Sequence, residues 1–331
     1  MVKARKFVLV KHFVGSPKDS DLKLVEEELP EIKDGEFLCE AVYHSLDPGM
    51  RPYSGKWQKE GDTMMGQQVA KVVQSKHKDY PVGTNVLTDV LCGWRSHFVS
   101  SEGQGIMTKL DHLPPEIPLE QALGAVGLIG YTAYFGMNDI CQPKEGETLV
   151  VNGAAGAVGS LVGQIGKIKG CRVIGYAGSD EKVKYLKELG FDAAFNYKTV
   201  DLDETLKAAA PNGVDVYFDN VGGTFSVTVR RHMNKCGRIS LCGAISQYNL
   251  KEPLMVPCQD FMMVSEEIKS QGFLCLSKSE RFPEAYKQMS EWYLQGKLKL
   301  DMHWTEGFEN MPKAFFELFT GWNLGKAIVK A

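Results

Sequence analysis

The chain of 331 residues carries 38 Lys and Arg against 41 Asp and Glu, which gives a formal net charge of −3. This near balance argues against a protein that binds nucleic acid or a membrane surface through basic charge. A hydrophobic fraction of 44% and a charged fraction of 24% exclude a disordered chain and are typical of a soluble globular enzyme. The length predicts about two domains.

Eight cysteines are scattered along the chain, and none of them forms a Cys-x-x-Cys pair. At this chain length, scattered cysteines indicate buried thiols in a reducing compartment rather than a disulfide framework. The apolar run near the start ends at Lys11, which is too early for a signal peptide, and no window holds 18 uncharged apolar residues. We therefore expect a cytoplasmic protein without a transmembrane helix.

The first third of the chain consists of short runs of β-forming residues. Turn formers such as Asp34-Gly35 and Asp47-Pro48-Gly49 separate these runs. Many short strands with few helices predict a β-barrel-like domain. The predicted strands are Phe7–Phe13, Phe37–His44, Gln68–Gln74, Thr84–Leu91 and Trp94–Val99.

From about residue 125, strands and helices alternate. Runs of Val, Ile and Leu without polar alternation indicate a parallel sheet that is buried on both faces, which defines a doubly wound α/β domain. The last segment, Gly325–Lys330, predicts a strand that rejoins the first domain, because a lone strand needs a sheet. The predicted strands are Glu147–Asn152, Cys171–Tyr176, Ala193–Asn196, Val214–Asn220 and Gly237–Cys242, and the predicted helices are Ala157–Lys169 and Asp180–Leu189.

The sharpest motif is the glycine-rich segment from Ala154 to Gly159, which lies between a predicted strand and a predicted helix. This is the context of a dinucleotide-binding turn. The small residues Ala154 and Gly156 let the backbone approach a pyrophosphate, Gly159 lets the helix pack against the strand, and the helix N-terminus supplies N–H groups. A flexible loop that opens a core helix is the alternative, and the flanking strand and helix favour cofactor binding.

The end of the second strand of this domain distinguishes NADPH from NADH. NAD binders usually carry Asp or Glu there, whereas this chain has Ala177-Gly178-Ser179 and no acid before Asp180. The small residues leave room for a 2′-phosphate, and Lys182 in the first turn of the next helix can reach it. NADPH is therefore favoured, although Lys182 taken alone would be assigned as a solvated helix residue.

Two further strand ends carry small polar residues, namely Asn220 and the segment 242–248. Ligands bind at the carboxyl ends of parallel strands, so these residues are candidate contacts for the nicotinamide ribose. Ordinary turn chemistry is the alternative for both segments.

Together these motifs resemble the zinc-independent medium-chain dehydrogenase/reductases, and among them the NADPH-dependent reductases of enones and alkenals. The resemblance implies a GroES-like, β-barrel-like catalytic domain at residues 1–124, completed by 298–331, and a Rossmann NADPH-binding domain at residues 125–297. It spans nearly the whole chain, and its most specific stretches are residues 60–70, 154–159, 178–182, 195–199, 217–223, 242–249, 307–312 and 323–326.

The resemblance also assigns residues to NADPH. It implies that Lys182 and Tyr197 contact the 2′-phosphate end of the cofactor. It implies that the pyrophosphate is held by Gly156, Ala157, Val158 and Gly159. The rest of NADPH would be lined by Asn220, Cys242, Gly243, Ala244, Ile245, Ser246, Gln247, Tyr248, the predicted strand Phe273-Leu274-Cys275, and Asn323.

No metal site is expected. Zinc-dependent relatives carry a Gly-His-Glu stretch where this chain has Gly66-Gln67-Gln68, and its seven histidines show no metal-ligand spacing. The substrate therefore has to be activated by hydrogen bonds.

The resemblance implies hydride transfer from NADPH to the β-carbon of an α,β-unsaturated ketone or aldehyde, such as a 15-oxo-prostaglandin or a 2-alkenal. The enolate oxygen that this transfer produces needs positioned hydrogen-bond donors. Tyr248 matches the tyrosine that is proposed as a donor in similar reductases, and a packing role at a turn is the alternative. NADP-dependent oxidation of the leukotriene B4 12-hydroxyl is also implied.

One departure from the resemblance concerns the substrate. Similar reductases carry Asp-Pro-Tyr-Met-Arg where this chain has a glycine, Gly49, and Tyr53 is the candidate to replace the missing aromatic residue. An NADPH quinone reductase and a non-catalytic, crystallin-like NADPH-binding protein are the alternative functions. We expect a small-molecule lipid enone or alkenal as substrate, no nucleic-acid or membrane partner, and a monomer or homodimer.

Overall fold

The computed structural model describes residues 2–101 and 107–331. The chain divides into two compact units. Unit 1 contains Met1–Leu123, Met302–Asn323 and Ala327–Ala331, and unit 2 contains Gly124–Asp301 and Leu324–Lys326.

The strands within the described residues are β1 (Val2–Leu9), β2 (Leu22–Leu29), β3 (Glu36–Ser45), β4 (Gln68–Ser75), β5 (Asn85–Leu87), β6 (His97–Ser101), β7 (Thr108–Lys109), β8 (Thr148–Val151), β9 (Arg172–Ala177), β10 (Ala193–Asn196), β11 (Val214–Asp219), β12 (Met233–Leu241), β13 (Lys269–Gly272), β14 (Met302–Glu306) and β15 (Lys326–Lys330). The α-helices are α1 (Met50–Trp57), α2 (Leu128–Phe135), α3 (Ala157–Ile168), α4 (Asp180–Glu188), α5 (Leu202–Ala209), α6 (Gly223–Arg230), α7 (Asp260–Ser265), α8 (Phe282–Leu294) and α9 (Met311–Glu317). Short 3₁₀ helices cover Asp19–Asp21, Leu119–Leu123, Cys275–Arg281, Phe308–Asn310 and Leu318–Thr320, and a π-helix covers Gly136–Cys141.

Unit 1 is built from antiparallel strands. Its main sheet has the order β14-β15-β3-β4-β5-β7, with β6 also paired to β3, and β1 and β2 form a separate two-stranded ribbon. The last strand, β15, pairs antiparallel with β3 and places Ile328 opposite Ser45. A core of aromatic and methionine side chains, among them Phe7, Trp94 and Phe315, packs beside these strands.

Three strands predicted in unit 1 are shorter or shifted. The strand predicted at Phe7–Phe13 ends at Leu9, because its partner β2 begins at Leu22 and offers no residue beyond that pair. The strand predicted at Thr84–Leu91 is reduced to β5, because the Asp89 carboxylate accepts hydrogen bonds from the N–H groups of Leu91 and Cys92 and forms a turn there.

The strand predicted at Trp94–Val99 begins at His97 instead. The residues ahead of it form hydrogen bonds with other segments: the Trp94 N–H donates to the Met64 carbonyl and the Ser96 N–H donates to the Arg5 carbonyl. The Ser96 carbonyl still accepts from the Ala41 N–H of β3, but the Trp94 and Ser96 N–H groups are used elsewhere, so the regular ladder with β3 begins at His97.

Unit 2 is a six-stranded sheet with the order β10-β9-β8-β11-β12-β13, in which every pairing is parallel. Numbered within the unit, this is the order 3-2-1-4-5-6 of a doubly wound dinucleotide-binding fold. All four residues of β8 are buried, as a strand covered on both faces requires. The predicted doubly wound parallel sheet is therefore confirmed.

One strand of unit 2 begins earlier than predicted. The strand predicted from Gly237 starts at Met233, which pairs with Val214 before the register shifts. The irregular stretch contains Cys236, whose φ of 62° is left-handed. Because of this interruption, the hydrophobic pattern of the sequence does not predict the first part of the strand. No helix among the described residues is long and apolar enough to cross a membrane.

Candidate functional site

The glycine-rich turn joins the end of β8 to the start of α3. Gly156 is the N-cap residue, and no side chain caps the first turn of the helix. A Cβ on Gly159 would lie 2.4 Å from the Gly153 carbonyl oxygen and 2.8 Å from the Ala154 Cα. Only glycine fits at residue 159, and the N–H groups of the first turn remain uncovered by side chains for an anion such as a pyrophosphate.

A buried polar network lies beside this turn, at the ends of β8 and β11. Asn152 and Asp219 are 0% and 1% exposed. The Asn152 side-chain NH₂ group donates to the Asp219 carboxylate at 2.8 Å, and the Asn152 side-chain oxygen Oδ1 accepts from the Asn220 backbone N–H at 2.7 Å. The Asn220 side-chain NH₂ group donates to the Asn152 backbone carbonyl at 2.9 Å. Asn220 is therefore fixed in place at the point where the strand order reverses.

The same carboxylate organises the turn after β11. Its Oδ1 accepts from the Val221 N–H at 3.1 Å and from the Gly222 N–H at 2.8 Å. Its Oδ2 accepts from the Ser226 hydroxyl in α6. Asn152 and Asp219 were not among the residues predicted from the sequence. The signal that could have found them is a polar residue directly at the end of an apolar strand.

The segment 242–248 is attached to this turn through its backbone. The N–H groups of Cys242 and Gly243 donate to the Asp219 carbonyl at 2.9 and 3.1 Å. Ile245 donates in the same way to Asn220 at 3.2 Å, and Ser246 donates to Val221 at 3.2 Å. The structure thus brings the predicted residues Asn220 and 242–246 together at the carboxyl ends of adjacent strands.

Tyr248 lies at the end of this segment. Its phenol oxygen accepts a hydrogen bond from the Ala244 N–H at 3.1 Å, and a Cβ on Gly243 would lie 3.0 Å from the same oxygen. The ring is therefore folded back over its own loop. A phenol oxygen accepts hydrogen bonds and its hydroxyl hydrogen can be donated, so the tyrosine is chemically able to play either part.

The prediction of a strand at Phe273-Leu274-Cys275 is wrong. The strand β13 ends at Gly272, Phe273 and Leu274 follow it, and Cys275 begins a 3₁₀ helix. The actual strand has the polar sequence Lys-Ser-Gln-Gly, so its hydrophobic signal is absent. The three residues still follow the carboxyl end of a strand, and their contact with NADPH stays a prediction.

The thiols near these strand ends are not activated as nucleophiles. Burial raises the pKa of the Cys242 thiol to about 12, and nearby Cys275 and Asp219 act in the same direction. Burial also raises the pKa of the Cys275 thiol to about 12. Both side chains are therefore protonated at neutral pH, which suits packing or van der Waals contact rather than nucleophilic chemistry.

A cluster of basic and aromatic side chains lies at the end of β9. A Cβ on Gly178 would lie 3.3 Å from the Tyr197 ring and hydroxyl and 3.4 Å from the Lys198 Cε, so these two side chains lie beside the glycine. Burial lowers the pKa of the Lys182 ammonium, the positive charge of Lys198 lowers it further, and Glu181 acts in the opposite direction. The structure thus brings Lys182 and Tyr197 to one place and adds Lys198, which was not predicted.

Two predicted residues belong to unit 1. Tyr53 lies in α1, where its ring stacks on Trp57 with centroids 4.4 Å apart. A Cβ on Gly49 would lie 3.5 Å from the Tyr53 ring, so the tyrosine lies beside the position where an aromatic residue is missing. Asn323 is the other unit 1 residue. The roles of both residues stay predictions.

The stretch Gly66-Gln67-Gln68 also lies in unit 1. The buried Gln68 amide contacts the Cys92 sulfur at 3.1 Å and the Gly93 carbonyl at 3.4 Å. Within residues 2–101 and 107–331, no group of three or more His, Cys, Asp or Glu side chains is arranged to hold a metal ion.

Comparison with known proteins identifies the family. A family model described as an N-terminal domain of oxidoreductase matches residues 5–108, and one described as a zinc-binding dehydrogenase matches residues 157–292. With the parallel sheet and glycine-rich turn above, and with the full-length relatives that follow, these matches show that the chain belongs to the medium-chain dehydrogenase/reductase family. The resemblance predicted from the sequence is confirmed.

Individual relatives match over the full length. The chain is 53% identical to prostaglandin reductase 1 of Oryctolagus cuniculus, covering 99% of this chain and 93% of that protein. It is 38% identical to an NADPH-dependent curcumin reductase of Escherichia coli, covering 98% and 96%. Among solved structures, CurA of Vibrio vulnificus in complex with NADPH is 40% identical with a TM-score of 0.91, covering 99% of each chain.

The fit at Gly159 gives a prediction for cofactor binding. Gly159→Ala places a methyl group against the backbone of residues 153 and 154, so the turn has to open. We expect the dissociation constant of NADPH, measured by fluorescence titration, to rise at least about tenfold. Gly55→Ala is the matched control, because a Cβ on Gly55 meets no atom within 4 Å. Equal NADPH affinity in both variants would contradict the assigned role of the turn.

Proposed function

We propose that this protein uses NADPH to reduce the carbon–carbon double bond of α,β-unsaturated ketones and aldehydes. The observation that carries this proposal is full-length similarity to proteins named prostaglandin reductase 1 and NADPH-dependent curcumin reductase. The geometry supports it, because unit 2 offers an uncapped helix N-terminus for a pyrophosphate and, for a 2′-phosphate, Lys198 beside Gly178 with Lys182 close to Lys198.

NADPH, when bound, supplies the hydride for this reduction. Gly156–Gly159 would hold its pyrophosphate, and Lys182 and Tyr197 would hold its 2′-phosphate end. Asn220 and the segment 242–248 would contact the nicotinamide half, because they lie at the carboxyl ends of the strands on the other side of the switch point.

Tyr248 would donate a hydrogen bond to the carbonyl oxygen of the enone. The Ala244 N–H already donates to the phenol oxygen. Such a bond polarises the O–H group and makes it a better donor. The negative charge that develops on the substrate oxygen is stabilised by a donor held in place before the reaction. The backbone hydrogen bonds of residues 242–246 hold the loop that carries it.

The substrate pocket is the finer part of the proposal. Tyr53 would supply the aromatic wall that is missing at Gly49, because its ring lies against that position and is itself supported by Trp57. A lipid enone or alkenal would pack its chain against such a stacked pair. Oxidation of the leukotriene B4 12-hydroxyl remains a prediction from the resemblance.

The function is tested by NADPH oxidation with three acceptors: a 2-alkenal, a 15-oxo-prostaglandin and a quinone. We expect turnover with the enone and the alkenal, with the saturated carbonyl compound as product by mass spectrometry. Turnover with the quinone alone would replace the proposal by a quinone reductase. Tight NADPH binding without turnover of any acceptor would leave a non-catalytic binding protein.

Tyr248→Phe extends the same assay to the proposed donor. Loss of one preorganised donor lowers kcat by about 10²-fold, while the NADPH dissociation constant stays nearly unchanged. Tyr80→Phe is the matched control, because Tyr80 stacks on Phe37 in unit 1 and has no proposed role. An undiminished kcat in Tyr248→Phe would remove this residue from catalysis.

We also propose that the protein acts as a homodimer. The strand β13 is the last in the sheet order of unit 2, and an edge strand offers its backbone groups for pairing. The preceding helix α7 has no buried residue, and its Phe261 and Val264 are 86% and 74% exposed. Met255, which precedes this helix in the chain, is also 86% exposed. A second copy of the chain is the occupant we propose for the strand edge and this helix.

The dimer is tested by light scattering after size exclusion. We expect twice the monomer mass for the native chain and the monomer mass for Phe261→Glu, because a buried unpaired carboxylate opposes association. Val82→Glu is the control, because Val82 is 65% exposed but lies in unit 1. A monomeric native chain, or a Phe261→Glu variant that remains dimeric, would contradict this proposal.

A cytoplasmic location completes the proposal. It is supported by the eight cysteines, all of which are unpaired. Unpaired thiols at this number are typical of proteins from reducing compartments. NADPH and the lipid enones proposed as substrates are small molecules, so the proposal includes no nucleic-acid or membrane partner.

A further inference from the structure

The turn after β10 is the segment 196–199, which follows the third strand of the parallel sheet. Its backbone is held by hydrogen bonds from the Tyr197 N–H to the Ala177 carbonyl at 3.1 Å and from the Thr199 N–H to the Asn196 carbonyl at 3.0 Å. Because β10 pairs with β9 and places Asn196 opposite Ala177, this turn lies directly beside Gly178. Whatever binds over Gly178 meets the side chains of this turn.

Asn196 connects this turn to the start of α4. Its side-chain amide donates to the Asp180 carboxylate at 2.8 Å, and its side-chain carbonyl accepts from the Lys198 N–H at 3.2 Å. Asp180 is the first acid after β9 and lies three residues beyond the strand end, which is where NAD binders carry the acid that holds the ribose. The Asn196 side chain therefore binds the Asp180 carboxylate and also holds the backbone of Lys198.

Lys198 lies beside Gly178. Its side chain is exposed, and its Cε lies 3.4 Å from the position of a Cβ on Gly178, next to the Tyr197 hydroxyl at 3.3 Å. A group placed over Gly178 would therefore lie within reach of a phenol and an ammonium. Lys182 lies in the first turn of α4, near enough to Lys198 for the two charges to interact.

The two ammonium groups repel each other in this arrangement. The charge of Lys198 adds to burial in lowering the pKa of Lys182. A doubly charged anion between them removes this repulsion and gains two charge-assisted hydrogen bonds. The cluster is therefore suited to a phosphate monoester more than to a ribose hydroxyl.

We propose that Lys198 is a second cation for the 2′-phosphate of NADPH, and that Asn196 is a positioning residue that holds Lys198 in place and keeps the Asp180 carboxylate engaged away from the phosphate. This inference rests on the proposed function for the identity of the cofactor. It adds two residues that set the choice of NADPH over NADH.

Lys198 is tested by calorimetric binding of 2′,5′-ADP and of 5′-AMP, which differ only in the 2′-phosphate. Loss of one charge-assisted hydrogen bond weakens binding about tenfold or more. We expect that loss for 2′,5′-ADP in Lys198→Ala, and a change of less than about twofold for 5′-AMP. Lys184→Ala is the matched control, because Lys184 is an exposed lysine of α4 that pairs with Glu188. Unchanged 2′,5′-ADP affinity in Lys198→Ala would overturn the role of Lys198.

Asn196 is tested by the ratio of the two affinities. Asn196→Ala should reduce the preference for 2′,5′-ADP, because Asp180 is released and Lys198 is less well held. Removing the acid as well, in Asn196→Ala with Asp180→Ala, should restore part of that preference. A residue with a merely structural role would weaken both ligands equally, and that result, or an unchanged ratio, would overturn the role of Asn196.

The outcomes separate this inference from the proposed function. If Lys198→Ala binds 2′,5′-ADP as well as the native chain does, while the native chain still reduces enones with NADPH, the inference alone fails. If the native chain prefers 2′,5′-ADP through Lys198 but turns over no enone, the proposed function fails and the inference stands.

Discussion

Asp219 is 1% exposed, and a carboxylate at that depth is tolerated only when hydrogen bonds replace its lost water. In unit 2 those bonds come from Asn152 directly after β8, from the two N–H groups of the turn after β11, and from Ser226 on α6. The residues that meet at this carboxylate are the ones that define the carboxyl edge of the sheet. The buried Asp219 carboxylate needs hydrogen-bond donors, and this need sets the positions of the residues that donate to it.

The rest of the candidate site depends on that requirement. The Asp219 carbonyl oxygen receives the N–H groups of Cys242 and Gly243, so the loop that carries Tyr248 is attached to the same residue. Burial and the Asp219 charge raise the pKa of the neighbouring Tyr217 phenol, so this side chain serves the network as a neutral hydrogen-bonding group. These hydrogen bonds join residues of the protein alone, so the carboxyl edge of the sheet is held in place by the chain itself.

Much of unit 2 could be predicted from the sequence because its signals are local. Buried strands of Val, Ile and Leu, the glycines at 156 and 159, and the absence of an acid before Asp180 are each read within a few residues. The network of Asn152 and Asp219 could not be predicted, because it joins residues 67 positions apart. Lys198 was missed for a similar reason, since only the pairing of β10 with β9 brings it beside Gly178.

At the edge of the sheet, a strand was predicted where the structure has none. The resemblance implied a strand at residues 273–275, whereas the polar Lys269–Gly272 forms it, because an edge strand has a solvent-facing side and needs no continuous apolar run. The turn of residues 88–92 likewise ends a strand through the Asp89 carboxylate, which a count of β-forming residues does not include. In both places, backbone hydrogen bonding overrides side-chain propensity.

The most direct test of the central role of Asp219 is the NADPH dissociation constant of Asp219→Asn. The amide keeps the shape of the side chain but removes its negative charge. The hydrogen bonds that it accepts are then weaker, because neutral hydrogen bonds are weaker than charge-assisted ones. Asp215→Asn is the matched control, because Asp215 lies near the other end of the same strand and accepts from the Thr148 N–H and the Asn234 amide. We predict about tenfold weaker NADPH binding in Asp219→Asn and native affinity in Asp215→Asn. Native affinity in Asp219→Asn, with the fold verified by circular dichroism, would contradict the account.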